Sequence, residues 1–195
     1  MQLSSPVACN LQTVEEAPRP GAPGFIVYSV SKALADLAVR DFKRAHLDLD
    51  LTTIHPSYIY GPVGSGQVYN SPRTGTNRLV YDLIVGAPGR PVNGYDPQAA
   101  TLGPPPPSVD VRDVARALVI ALKVPPSDTL KRFIPQLRPP VITGKEVTYP
   151  PFFTFHTSAT EAILGLKSCI KWQDTVLDTI DDLLRVEKEL ATAAQ

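Results

Sequence analysis

The apolar positions of this 195-residue chain alternate between helical and extended spacing. Val30, Leu34, Leu37, Ala38 and Phe42 recur three or four apart, which predicts a helix over about 29–46 with one buried stripe. Asp50-Leu51-Thr52-Thr53-Ile54-His55-Pro56 follows, rich in β-branched residues and stopped by proline, and reads as a strand. Its exit, Ser57-Tyr58-Ile59-Tyr60-Gly61-Pro62, runs into the flexible Gly64-Ser65-Gly66. A short helix is expected over 77–85 and a short strand over 108–111. A strong helix follows over 112–123, with Val114, Ala115, Leu118, Val119 and Leu122 on its apolar face. Asp110 and Asp113 suit the positive start of that helix.

Beyond a weak strand at 132–135, Ser158-Ala159-Thr160-Glu161 fits a capping box before a one-turn helix ended by Gly165. The final helix, about 172–190, carries Trp172, Val176, Ile180, Leu183 and Leu184 along a stripe with Glu187 at its edge. A buried strand after a long helix is the βαβ rhythm of an α/β protein with a parallel sheet. In such sheets ligands sit at the carboxyl ends of the strands, so the exit at 56–62 is a candidate site lining.

Composition narrows the function classes without naming one. Nineteen basic residues balance nineteen acidic ones, which points away from nucleic acid or an anionic membrane as partner. No apolar run approaches the roughly 18–20 residues that span a bilayer. The first six residues lack the pattern of a signal peptide, and Cys9 and Cys169 read as reduced structural thiols, so a cytoplasmic location is expected. His46, His55 and His156 are scattered, and no metal is expected. The 21 prolines, about double ordinary usage, cluster as at 104–107, 139–140 and 150–151, stiff connectors between periodic segments.

The candidate chemistry lies at Tyr28-Ser29-Val30-Ser31-Lys32. Tyrosine and lysine four apart share one helical face. An ammonium beside a phenol draws the phenol's pKa from about 10 toward neutrality. Such a phenol can hand a proton to a carbonyl oxygen as a hydride reaches the carbon. Taken alone, the spacing is a common coincidence of helix surfaces.

Four motifs in order give it company. These are Tyr28-x-x-x-Lys32, His55-Pro56-Ser57-Tyr58-Ile59-Tyr60-Gly61-Pro62, Val109-Asp110-Val111-Arg112-Asp113-Val114-Ala115, and Thr157-Ser158-Ala159-Thr160-Glu161-Ala162-Ile163-Leu164-Gly165-Leu166. Together they resemble the C-terminal half of an extended short-chain dehydrogenase/reductase, of the NAD-dependent epimerase/dehydratase superfamily. Within it, the chain looks most like the dihydroflavonol-reductase-like group that includes fungal ketone and aldehyde reductases.

The resemblance implies an incomplete Rossmann-like parallel sheet with a small α/β substrate-binding lobe, one domain over 1–195. It implies Tyr28 as proton donor and Lys32 as the cation that tunes it and binds the nicotinamide ribose. Ser5, with Ser4 close behind, would hydrogen-bond the substrate carbonyl, while Pro56 and the backbone near Ile59 would contact the nicotinamide. The implied cofactor is NADP or NAD, with NADPH slightly favoured, and the implied partner is a small carbonyl or alcohol substrate. Tyr58 and Tyr60 read as wall or core aromatics, and His55 as a strand-end imidazole with a hydrogen-bond partner.

The glycine-rich turn that cradles a pyrophosphate has no counterpart here. Gly61-x-x-Gly64-x-Gly66 follows a proline and opens no helix. The expectation is a truncated reductase whose dinucleotide-binding half is absent, which binds cofactor weakly if at all and is poorly stable or aggregates by itself. Two other readings stand beside the reductase. One is a nucleotide-sugar epimerase or dehydratase, whose members tend to carry Arg-Tyr-x-Asn where this chain has Thr53-Ile54-His55-Pro56. The other is a non-catalytic remnant or interaction module.

Overall fold

The computed structural model describes residues 19–22, 24–64, 67, 69–73, 75–85, 108–125, 131–133, 161, 164–166 and 168–194. Its elements in chain order are α1 (Gly24–Ala45), β1 (Thr52–Ile54), β2 (Tyr58–Tyr60), α2 (Asn77–Val85), β3 (Ser108–Asp110), α3 (Val111–Ala121), β4 (Lys131–Phe133) and α4 (Trp172–Ala193). They group into two units, residues 1–51 with 126–131 and residues 52–125 with 132–195.

In the first unit, α1 begins a turn earlier than its apolar spacing suggests, because no breaker but Gly24 itself separates Pro23 from Tyr28 in the sequence. Burial does not follow the expected stripe. Leu34 and Phe42 are half-exposed, whereas Val30, Asp36 and Lys43 are buried. The two charged residues are inside because their charges are answered. Arg40 donates to Asp36 at 2.8 Å, one turn away. Lys43 donates to the carbonyls of Leu47 (3.2 Å) and Leu49 (2.6 Å), tying down the turn that leaves the helix.

The second unit is organised by a parallel pair. β2 and β3 run side by side with Tyr58 opposite Ser108, Ile59 opposite Val109 and Tyr60 opposite Asp110. β1 and β4 form a separate two-stranded sheet. All three β3 residues are buried, Val109 to 1% exposure. α3 packs against β1, β2 and β3, and α4 against α2, β2 and β3. Strands covered by helices are the α/β arrangement, a Rossmann-like sheet in part. The 58–60 segment, expected only as a strand exit, is itself a strand. Tyr-Ile-Tyr is strongly β-forming, and Pro56 separates it from β1.

Two helix faces differ from the hydropathy pattern, and the reason is the same in both. On α3 the buried residues are Asp113, Val114 and Ala117, whereas Leu118, Val119 and Leu122 are 53%, 55% and 87% exposed. Asp113 is drawn inward by the Ile170 N–H (2.7 Å) and by Arg116 (2.9 Å). Ala117 is small enough to seat Leu164 and Leu166 against the helix. On α4 the buried face is Thr175, Thr179, Leu183 and Val186, with Leu184 outside. Thr175 donates to Asp110 (2.7 Å) and Thr179 to the Thr175 carbonyl (2.6 Å), so both hydroxyls enter the interior with partners.

Leu164 and Gly165 end a short helical turn. Gly165 sits at φ +64° and its N–H donates to the Glu161 carbonyl at 3.0 Å, the glycine stop that the capping-box pattern predicts. Residues 158–160 of that box lie outside the described residues, as do the proline runs and Cys9.

Candidate functional site

Tyr28 is the fifth residue of α1, one turn inside the helix instead of at its mouth. It is 58% exposed, and the Lys32 ammonium lies over its ring, 5.4 Å from the centroid. The i,i+4 spacing and the backward tilt of helical side chains produce this meeting. At an exposed site such a cation–ring contact contributes about 0.5–1 kcal/mol, enough to hold the pair together but not to lock it. The Ser31 hydroxyl donates to the Tyr28 carbonyl at 2.7 Å and stays on the helix backbone. The phenol and the ammonium are adjacent and reachable from solvent. Ser5 and Ser4 lie outside the described residues.

In the second unit, Pro56 and Ile59 are both half-buried along the way into and through β2. The stretch after them is fixed at three points. Thr76, just ahead of α2, donates its hydroxyl to the Ile59 carbonyl. Asn77 donates its side-chain amide to the Gly61 carbonyl at 2.7 Å, and the Val63 N–H donates to Asp182 of α4 at 2.7 Å. Gly61 itself has φ +141°, and a Cβ there would stand 2.5 Å from Cγ1 of Val111. Only glycine fits both the angle and the space. Thr76, Asn77 and Asp182 were not legible as site supports, because each lies 15 or more residues from what it holds.

Tyr58 and Tyr60 form an aromatic pair on β2. The Tyr58 and Tyr60 rings are 6.5 Å apart and tilted. Tyr60 is 7% exposed and its hydroxyl has no hydrogen-bond partner among the described residues; burial, then the neighbouring Tyr58, pushes its deprotonation far above the usual range. The His55 imidazole is 2.9 Å from the Thr53 hydroxyl, in keeping with the strand-end reading.

At the carboxyl end of β3, Asp110 is fully buried and caps α3 by accepting from the Arg112 N–H at 2.8 Å. It also accepts from the Arg112 guanidinium (2.9 and 2.8 Å) and from Thr175. Arg112 reaches on to Asp178 at 2.7 Å. Burial by itself would raise the Asp110 pKa. The hydrogen bonds from Arg112 and Thr175, with the guanidinium charge, outweigh it and hold the carboxyl below its ordinary value. Asp110 is therefore an ionised structural hub. Half-buried Cys169 is a free thiol that burial, then the charge of Asp113, pushes up, which disfavours the reactive thiolate. Among the described residues no cluster of His, Cys, Asp or Glu is placed to hold a metal, and no helix is long and apolar enough to cross a membrane.

No family model matches the chain. It is 27% identical over 192 residues to an uncharacterized oxidoreductase of Saccharomyces cerevisiae, covering 86% of this chain and 53% of the relative. It is 33% identical over 102 residues to an uncharacterized oxidoreductase of Schizosaccharomyces pombe, covering 51% of this chain and 27% of the relative. Among solved structures it resembles a reductase engineered for asymmetric catalysis (TM-score 0.65, 19% identity, 87% of this chain and 54% of that one). It also resembles Gre2 of Candida albicans in complex with NADPH (TM-score 0.59, 20% identity, 84% and 53%). The chain shares its fold with part of each of these two structures. The chain spans about half the length of the first of these curated relatives and of both structures.

Proposed function

We propose that this chain is the C-terminal portion of an extended short-chain dehydrogenase/reductase that reduces a ketone or aldehyde with NADPH or NADH. The observation that carries the reading is the Tyr28–Lys32 pair, phenol and ammonium side by side on an exposed helix face. The likeness to reductase structures and to fungal oxidoreductases supports it.

In this reading the cofactor, when bound, supplies a hydride to the carbonyl carbon, and the chain supplies the proton. The Tyr28 phenol gives its proton to the carbonyl oxygen as negative charge develops there. The Lys32 ammonium stabilises the phenolate left behind, and its N–H groups suit ribose hydroxyls. Ser5 takes the role of a second donor to the developing oxyanion. The family resemblance gives Pro56 and the backbone near Ile59 the nicotinamide contact, and the half-buried Pro56 supports this with an apolar surface that carries no donor. The glycine-rich pyrophosphate cradle belongs to a preceding dinucleotide-binding half in this reading, so this chain alone holds the cofactor weakly.

The test is NADPH-dependent reduction of a panel of aryl and aliphatic ketones, comparing the chain with Tyr28→Phe, alone and joined to any glycine-rich strand–turn–helix encoded in frame upstream. Loss of about 10²–10⁴-fold in turnover on Tyr28→Phe is expected, the usual contribution of a positioned general acid. Equal turnover in both proteins would remove Tyr28 from the chemistry. No turnover in any form would favour a non-catalytic role.

A further inference from the structure

The second unit holds a groove of about 410 Å³ between the 71–73 segment, α2 and α4, within the size range of small-molecule sites. Its chemistry is two-ended. At one end stands Arg73, which, with Arg78 behind the lining, shares the single carboxylate of Asp82 through contacts of 3.2 and 3.6 Å at the two Nε atoms. Two guanidiniums on one carboxylate leave a net positive charge. The terminal nitrogens of Arg73 make no ion pair among the described residues, and its side chain is 54% exposed. At the other end, exposed Glu187 accepts the Tyr81 phenol at 2.7 Å through one carboxylate oxygen.

A single ring separates the two charges. Arg73 lies over the Tyr81 ring, 5.8 Å from its centroid, while the hydroxyl of that same ring meets Glu187. The bond to Glu187, then burial, raises the Tyr81 pKa, so the phenol remains a donor and Tyr81 stays a fixed partition. Pro72, Val85 and Leu190 supply apolar wall, with Val85 42% exposed. A lone anion would meet Glu187, and a lone cation would meet Arg73. Only a molecule carrying both charges satisfies both ends.

We propose that this groove binds a small zwitterion whose carboxylate and ammonium stand about one aromatic ring apart on an apolar body. The carboxylate pairs with the terminal nitrogens of Arg73, the ammonium with the free oxygen of Glu187, and the body lies against Val85 and Leu190. The site does not depend on the reductase reading.

Para-aminomethylbenzoate is the probe, with benzoate and benzylamine as molecules that keep one end each. Saturation-transfer NMR on the full chain observes the small molecule, so it reads binding even if the chain self-associates. Saturable binding by the two-ended probe is expected, with each one-ended molecule at least about tenfold weaker, the worth of one charged hydrogen bond. Arg73→Gln and Glu187→Gln should each weaken the probe by a similar factor, with helix content by circular dichroism unchanged. Should Glu187→Gln unfold the groove, Arg73→Gln and the one-ended molecules still decide the matter. Equal binding of all three molecules, no saturable binding at millimolar probe, or an unchanged affinity in Arg73→Gln would overturn the proposal.

Discussion

At the scale of single residues, buried polar groups decide more than apolar ones. Asp110 is the strongest case, wholly buried and bonded to Arg112 and Thr175. Asp110→Asn should destabilise the chain by about 2 kcal/mol in urea denaturation at neutral pH. That is less than the usual loss for a broken buried pair, because Arg112 is partly solvated and keeps Asp178. The carboxyl's pKa is depressed in the folded state, so its contribution is complete above the unfolded-state value near 4. The gap between wild type and Asp110→Asn should therefore hold from neutral pH down to about 4 and narrow below it. A gap that widens in acid would contradict the assignment. Tyr60 is the opposite case: its buried hydroxyl has no partner among the described residues, so Tyr60→Phe should raise stability by about 1 kcal/mol. The presence of Tyr28 and Lys32 on one helical face was legible, since an i,i+4 spacing has only one outcome on a helix. The partners of Asp110 were not, because Thr175 is 65 positions away.

At the scale of elements, periodicity located the helices well. α2 occupies the expected 77–85, and α1, α3 and α4 differ only at their ends. Which face each one buries was less legible. Hydropathy counts Asp36, Lys43, Asp113, Thr175 and Thr179 as outward residues, yet each finds a hydrogen-bond partner that makes burial tolerable. β2 does not register in the sequence because a strand of three residues, Tyr58–Tyr60, is too short for an alternating pattern. Two glycines separate the roles of angle and space. Gly165→Ala adds a left-handed angle with nothing near the new methyl and should cost about 1 kcal/mol. Gly61→Ala adds a collision with Val111 as well, and should cost about 3 kcal/mol or more. Equal melting temperatures for the two variants would show that Val111 yields freely.

At the scale of the whole molecule, the most telling surface is the outer side of α3, where Leu118, Val119 and Leu122 stand exposed together. Apolar patches of this kind drive association. Leu118→Gln with Leu122→Lys should shift the purified chain toward a single small species in size-exclusion chromatography. Stability should change by no more than about 0.5 kcal/mol, since neither side chain is in the core. An unchanged elution profile would place the sticky surface elsewhere. The interior has a different character, because its fastenings are remote in sequence. Val63 reaches Asp182 across 119 positions and Tyr81 reaches Glu187 across 106, both on α4. Doubling such a separation adds only about 0.6 kcal/mol of closure entropy, so distance weakens these bonds little at equilibrium. It governs the order of events instead, since contacts far apart in sequence form late. During synthesis α2, the β2–β3 pair and α3 emerge long before α4, with the carboxylate of Asp110 still lacking Thr175. Until the last helix arrives, the growing chain holds a half-made interior open to water and to chaperones.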